Sequence, residues 1–114
     1  MIFLAVLNGI VSLGSVGFAV VAAVRPSALS HVKEQTTGQR FYAWMYTARG
    51  VPLGVLAGVV PFFPHGAVSA LALIAAAVAQ AGDIAIGAQR RDARMIAGAT
   101  LVCVVHVVTA IAVL

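Results

Sequence analysis

Charge is nearly missing from this sequence. Only 9% of its 114 residues are Asp, Glu, Lys or Arg, and only three of those are acidic, whereas ordinary soluble domains carry roughly 25% charged residues. Long polar segments are missing as well, since a mean hydropathy of +1.08 over the whole chain leaves no stretch for a soluble domain. The one cysteine, Cys103, excludes a disulfide within the chain and leaves cysteine-based metal sites without partners, so it reads as a small buried apolar residue. No HxxxH pair occurs, and His31, His65 and His106 fall at three different levels, which argues against a metal. Glycine-rich phosphate loops and nucleophile elbows are also absent. No cofactor is expected.

What is present is apolar: 62% of the residues are hydrophobic. Four apolar stretches, about 2–24, 41–63, 66–88 and 95–114, are separated by polar ones. Each is close to the ~20 residues a helix needs to cross a ~30 Å hydrocarbon core. A backbone in lipid must satisfy its own hydrogen bonds, and the alternating polarity of transmembrane strands is missing, so the spans should be helical. The expected fold is all-α, a polytopic membrane protein built as a four-helix transmembrane bundle with short loops, forming a single domain over 1–114. The first stretch looks superficially like a signal peptide. It lacks a basic n-region, is too long for an h-region, and meets Arg25-Pro26 without a small-residue cleavage site, so a retained span is expected.

The net charge of +4 is explained by topology rather than by nucleic acid. All seven basic residues (Arg25, Lys33, Arg40, Arg49, Arg90, Arg91 and Arg94) lie in or near the first and third connections. The second connection, Pro64-His65, and both termini carry none. The positive-inside rule then makes the first and third connections cytoplasmic in a multi-pass plasma or inner-membrane protein, with both termini outside. Phe41, Tyr42, Trp44 and Tyr46 stand at the cytoplasmic entry of the second helix, as an aromatic belt does. Pro26 is expected to stop the first helix, and Ser27–Val32 to form a short interfacial turn.

Gly50, Gly54 and Gly58 make a doubled GxxxG on the second helix, a face suited to close helix contact. It could serve the bundle itself or a homodimer, with the bundle as the expectation. Gly9, Gly14 and Gly17 on the first helix and the alanines of the third also favour close packing. Pro52 should free the carbonyl of Ala48 and kink the helix just beyond Arg49.

The spans also contain Asn8, Ser12, Ser15, Arg49, Gln80, Asp83, Thr100, His106 and Thr109. Ionisable residues there mark functional candidates. At ~1.5 Å per residue, Asp83 lies roughly 10 Å inside the boundary and Arg49 roughly 12–13 Å, so the two should meet on antiparallel helices. Tyr42, Tyr46 and Arg49 share a helix face, and Gln80 sits one turn deeper than Asp83. His106 reaches roughly 18 Å, level with Ser12, and Asn8 lies nearer the outer side. The expected polar cluster is Tyr46, Arg49, Gln80 and Asp83, with His106 above. A purely structural reading is open as well, with Arg49–Asp83 a clasp and His106 a satisfied interhelical partner. A Ser12–His106–Asp83 triad is disfavoured by depth.

Three segments, "NGIVSLGSVGFAVVAAVRPSAL" (8–29), "YTARGVPLGVLAG" (46–58) and "AQAGDIAIGAQRRDARMIAGATLVCVVH" (79–106), carry a resemblance. The chain resembles a domain-of-unknown-function family of small bacterial and fungal four-helix membrane proteins. The shared pattern is an Arg-containing, Gly-rich second helix, a Gly-Asp in the third and a histidine in the fourth. The resemblance implies the fold and highlights Arg49, Asp83 and His106, without implying an activity. In that pattern an acidic residue usually follows the arginine, and here Gly50 stands in its place. The small multidrug resistance transporters are similar only in length and helix count. They are organised around a glutamate in the first helix, and this first helix has no acidic residue.

Three functions fit these residues. The first is a membrane-embedded enzyme that isomerises, cyclises or opens an epoxide in a lipophilic small molecule entering from the bilayer. In that reading Asp83 is the acid or base, Arg49 and Tyr46 stabilise developing negative charge, and Gln80, His106, Asn8 and Trp44 bind substrate. The second is a small proton-coupled transporter, which needs at least a dimer. The third is a non-catalytic partner subunit that uses its glycine face to hold another membrane protein.

Overall fold

A computed structural model of the chain describes residues 1–25, 27 and 36–114. Among them are four α-helices, one 3-10 turn and no strand. The helices are α1 (Ile2–Val24), α2 (Thr37–Val59), α3 (Ala67–Gln89) and α4 (Ala93–Val113), with the 3-10 turn Val60–Phe62 after α2. All four are long and apolar enough to cross a membrane. The protein is a four-helix transmembrane bundle. The helix stop expected at Pro26 and the turn expected after Ser27 lie outside the described residues.

Two helices begin earlier than the apolar stretches suggest, because polar caps extend them. Thr36 closes a capping box before α2: its Oγ1 accepts from Gln39 N at 3.1 Å, while its own N–H donates to Gln39 Oε1 at 2.7 Å. Asp92 does the same job for α4, with Oδ1 accepting from Met95 N at 3.1 Å. Pro61 brings no N–H to an α ladder, and the chain tightens to 3-10 there rather than continuing the helix to 63. Pro52, by contrast, sits inside an unbroken α2.

The turn from α3 to α4 takes only Arg90–Asp92. Arg91 N donates to Ala88 O and Asp92 N to Gly87 O, the paired bonds of a Schellman cap, which puts Arg91 at φ 54 where glycine is usual. At the opposite end Gly66 has φ +145, a conformation open essentially to glycine alone, and its N–H donates to Val113 O at 2.8 Å. That bond places the second connection and the end of α4 together.

The helices pack as two pairs, α1 with α2 and α3 with α4, and the contacts between the pairs are sparser. The glycine stripe of α2 lies against α1. A Cβ added at Gly50 would stand 3.2 Å from Ala19 Cβ, at Gly54 2.6 Å from Val16 Cγ2, and at Gly58 3.2 Å from Ser12 Cβ. Thr47 Oγ1 reinforces this seam, 2.6 Å from Ala19 O across the interface. Small residues close the other pair too, with Gly87 beneath Met95 and Ile96 and Cys103 Sγ 3.4 Å from Ala77 O.

The apolar core, Ala57, Ala70, Leu73, Ala76, Ala110 and Val113 with Leu53 and Val60 against it, gathers toward the second-connection end. Large apolar side chains such as Phe3, Leu13, Leu71, Leu101 and Ile111 point outward, while Asn8, Ser12, Asp83, His106 and Thr109 are buried. That inverted pattern suits a bundle whose surroundings are lipid. Gly54→Val should part α1 from α2 and destabilise by about 1–3 kcal/mol, as overpacking does. Gly17→Ala, with open space around its Cβ, should be neutral or stabilising by up to about 1 kcal/mol. Thermal unfolding in detergent micelles, followed by circular dichroism, would separate the two.

Candidate functional site

Away from the apolar core the two helix pairs meet through polar side chains. Arg49 of α2 reaches across to Asp83 of α3, with Nη2 donating to Oδ1 at 3.0 Å. The depth count on the two antiparallel helices anticipates this pair. The Asp83 side chain is 7% exposed and that of Arg49 47%, so the carboxylate is the member that depends on the contact. The Tyr46 side chain lies within interaction range of the same carboxylate. Tyr46, one turn before Arg49, lies under the guanidinium, 5.3 Å from Cζ to the ring centroid. That is within the range of a cation–π contact, which holds the arginine from its other side.

Gln80 Nε2 donates to Ser15 Oγ of α1 at 3.5 Å, a long bond that brings a third helix to the cluster. His106 of α4 brings the fourth. Its Nδ1 lies 2.7 Å from Asn8 Oδ1, and Asn8 Nδ2 donates to Ala57 O at 2.6 Å. The count along the helices sets Ser12 level with His106 and Asn8 farther out. In the structure it is Asn8, one turn from Ser12 on α1, that meets the ring. Among the described residues, Ser12 Oγ is buried without a hydrogen-bond partner.

Two cavities adjoin these residues. A small chamber of about 30 Å³ is bordered by Ser15, Tyr46, Arg49, Gln80, Asp83 and His106, among others. A larger cleft of about 270 Å³ runs between α1 and α4, walled by apolar residues including Val11, Phe18, Leu101 and Val102. Gly14 and Gly98 widen it, since a Cβ at either would meet nothing within 4 Å. Ser15, Tyr46, Gln80 and Asp83 border both cavities and form the wall between them. Arg94 stands at the margin of the cleft.

Of the residues expected at a site, Tyr46, Arg49, Gln80, Asp83 and His106 are brought together, and Asn8 joins them through His106. Trp44 is not. It points outward, 61% exposed, and borders neither cavity. Trp44 stands two positions, about 200°, before Tyr46 on α2, so with Tyr46 turned beneath Arg49 it faces away. The cleft-forming residues of α1 and α4 carry no sequence signal beyond small side chains at Gly14 and Gly98. Among the described residues no three His, Cys, Asp or Glu side chains converge.

No protein-family model matches the chain, and no curated protein or solved structure matches it.

The ion pair makes a direct prediction. Arg49→Met strips the carboxylate of its partner and should cost about 1–3 kcal/mol, the penalty of a buried group left unsatisfied. Adding Asp83→Leu should recover part of that loss, because the pair is worth less than the harm of breaking it. A double-mutant cycle on unfolding in detergent checks both, and a coupling energy near zero would show the contact to be energetically idle.

Proposed function

We propose that the protein is a membrane-embedded enzyme that carries out acid–base chemistry on a lipophilic small molecule. The carrying observation is the cleft: about 270 Å³ of mostly apolar space between α1 and α4, with Asp83, Gln80 and Tyr46 on its inner wall. Its size approaches that of small-molecule sites, which combine apolar walls with a few converging polar groups. A ligand would enter sideways from the bilayer, so no soluble binding loop is needed.

In this reading Asp83 exchanges the proton through Oδ2, its oxygen outside the Arg49 pair. Arg49 offsets charge as it develops, and in this reading the Tyr46 hydroxyl, beside the Asp83 carboxylate, donates to an oxygen of the ligand. Such groups act with more effect in a site that excludes water. Gln80 orients the ligand from the wall. The fit is to isomerisation, cyclisation or epoxide opening, each of which needs a proton moved and no cofactor. We also infer that the arginine-bearing first and third connections face the cytoplasm of a plasma or inner-membrane protein, with both termini outside. The resemblance to small bacterial and fungal membrane proteins of unknown function accords with this reading without adding an activity.

The transporter and partner-subunit readings lean on the glycine face of α2 as a meeting surface. Within one chain α1 already covers Gly50, Gly54 and Gly58, so a homodimer or hetero-complex there would have to displace it. The test is untargeted mass spectrometry of a bacterial lipid extract incubated with the purified protein in nanodiscs. Turnover of an extract component should fall at least ~100-fold in Asp83→Asn, the scale of a lost acid–base group. Gly98→Phe, which fills the cleft, should abolish ligand retention while the fold persists. Retained turnover in Asp83→Asn would sink the assignment.

A further inference from the structure

The chemistry proposed above uses Asp83 and leaves one buried titratable ring without a task. Asn8 Nδ2 donates to Ala57 O, and a carbonyl oxygen only accepts, so the amide must turn its oxygen toward His106. An amide oxygen also only accepts. A neutral His106 therefore carries its proton on Nδ1, and the lone pair sits on Nε2. Asn8 and His106 are both buried, which protects this arrangement from bulk water. Nε2 makes no hydrogen bond among the described residues, and the ring borders the same small chamber as Arg49, Gln80 and Asp83.

We propose that the chamber binds an O–H group, either a water or the hydroxyl of a lipophilic ligand, and that His106 Nε2 accepts its proton. Asn8 is the positioning residue that sets the tautomer. The proposal rests on reading the site as one of acid–base chemistry. The chamber's volume of about 30 Å³ exceeds the ~10–15 Å³ needed to hold a water, and a bound water needs two to four polar partners. Asp83, Gln80 and His106 supply them. In the transfer the O–H bond breaks, an N–H bond forms on Nε2, and the electron pair stays on oxygen, which becomes the nucleophile.

The test uses the full chain, labelled with ¹⁵N-histidine, in lipid nanodiscs, with His106→Gln to assign the resonances. We expect a single neutral tautomer protonated on Nδ1. Asn8→Leu should lose that single form, and Asn8→Asp, whose carboxylate likewise accepts, should keep it. Magnetisation transfer from water to Nε2 in lipid alone identifies water as the occupant. Transfer that arises only on adding dodecanol identifies a ligand hydroxyl. A wild-type ring protonated on Nε2, a tautomer unmoved by Asn8→Leu, or no transfer from either source would overturn the proposal. If the tautomer and transfer are as expected but Asp83→Asn retains turnover, it is the enzymatic reading of Asp83 that fails, and the two failures stay distinguishable.

Discussion

A charged side chain within a membrane-spanning helix must be met by a partner, and the Arg49–Asp83 bond meets that demand here. In lipid the helices have no hydrophobic reason to associate, because the tails around them are as apolar as their own side chains. Small residues bring α1 to α2 and α3 to α4 closely enough for dispersion to hold each pair. Between the pairs the closest side-chain links are polar: Arg49 to Asp83, Gln80 to Ser15, and His106 to Asn8. The same bonds that join the two halves therefore collect the polar groups in one place. Scaffold and candidate site share their atoms, and a choice between clasp and chemistry for Arg49–Asp83 is too simple.

The division also explains where the space is. Toward the second connection, Leu73, Val113 and the small alanines fill the interior. Toward the other end the pairs are held apart by long polar side chains that touch at their tips, and glycines at 14 and 98 leave their side of the interface unfilled. A cleft follows from this geometry. It opens toward the lipid between α1 and α4, which come from different pairs, rather than within either closely packed pair.

Much of this was legible in the residues. Span length and hydropathy set the helices, and the rise per residue placed Arg49 and Asp83 at a common depth before any contact was known. The glycine stripe announced close packing. What the residues could not convey was rotation and register. Trp44 belongs to the same aromatic run as Tyr46, yet the helix turns Tyr46 beneath Arg49 and Trp44 outward. Counting from the loops pairs His106 with Ser12, and the structure gives it Asn8, one turn away, instead. The cleft was illegible for a different reason, since an unfilled volume depends on how two helices fail to touch, and no single residue encodes that. The starts of α2 and α4 are legible in their caps: Thr36 with Gln39, and Asp92, are capping signals sitting inside segments that look like loop.

The two cavities differ in the kind of molecule they can hold, and that difference bears on the chemistry. An apolar cleft alone would take up any membrane lipid, and a buried ion pair alone is often only structural. Here a water-sized polar chamber and a larger apolar cleft share a wall made of Ser15, Tyr46, Gln80 and Asp83. A lipophilic molecule in the cleft would thus have its nearest polar atom beside groups that can give or take a proton, while its bulk stays in lipid-like surroundings. Asp83 stands at the centre of that arrangement: Oδ1 bonds Arg49, and the side chain borders both cavities. A carboxylate needed only to clasp two helices would gain by presenting both oxygens to the guanidinium, in the bidentate geometry that arginine favours. Here the guanidinium bonds one oxygen only, and Tyr46 holds it from its other face.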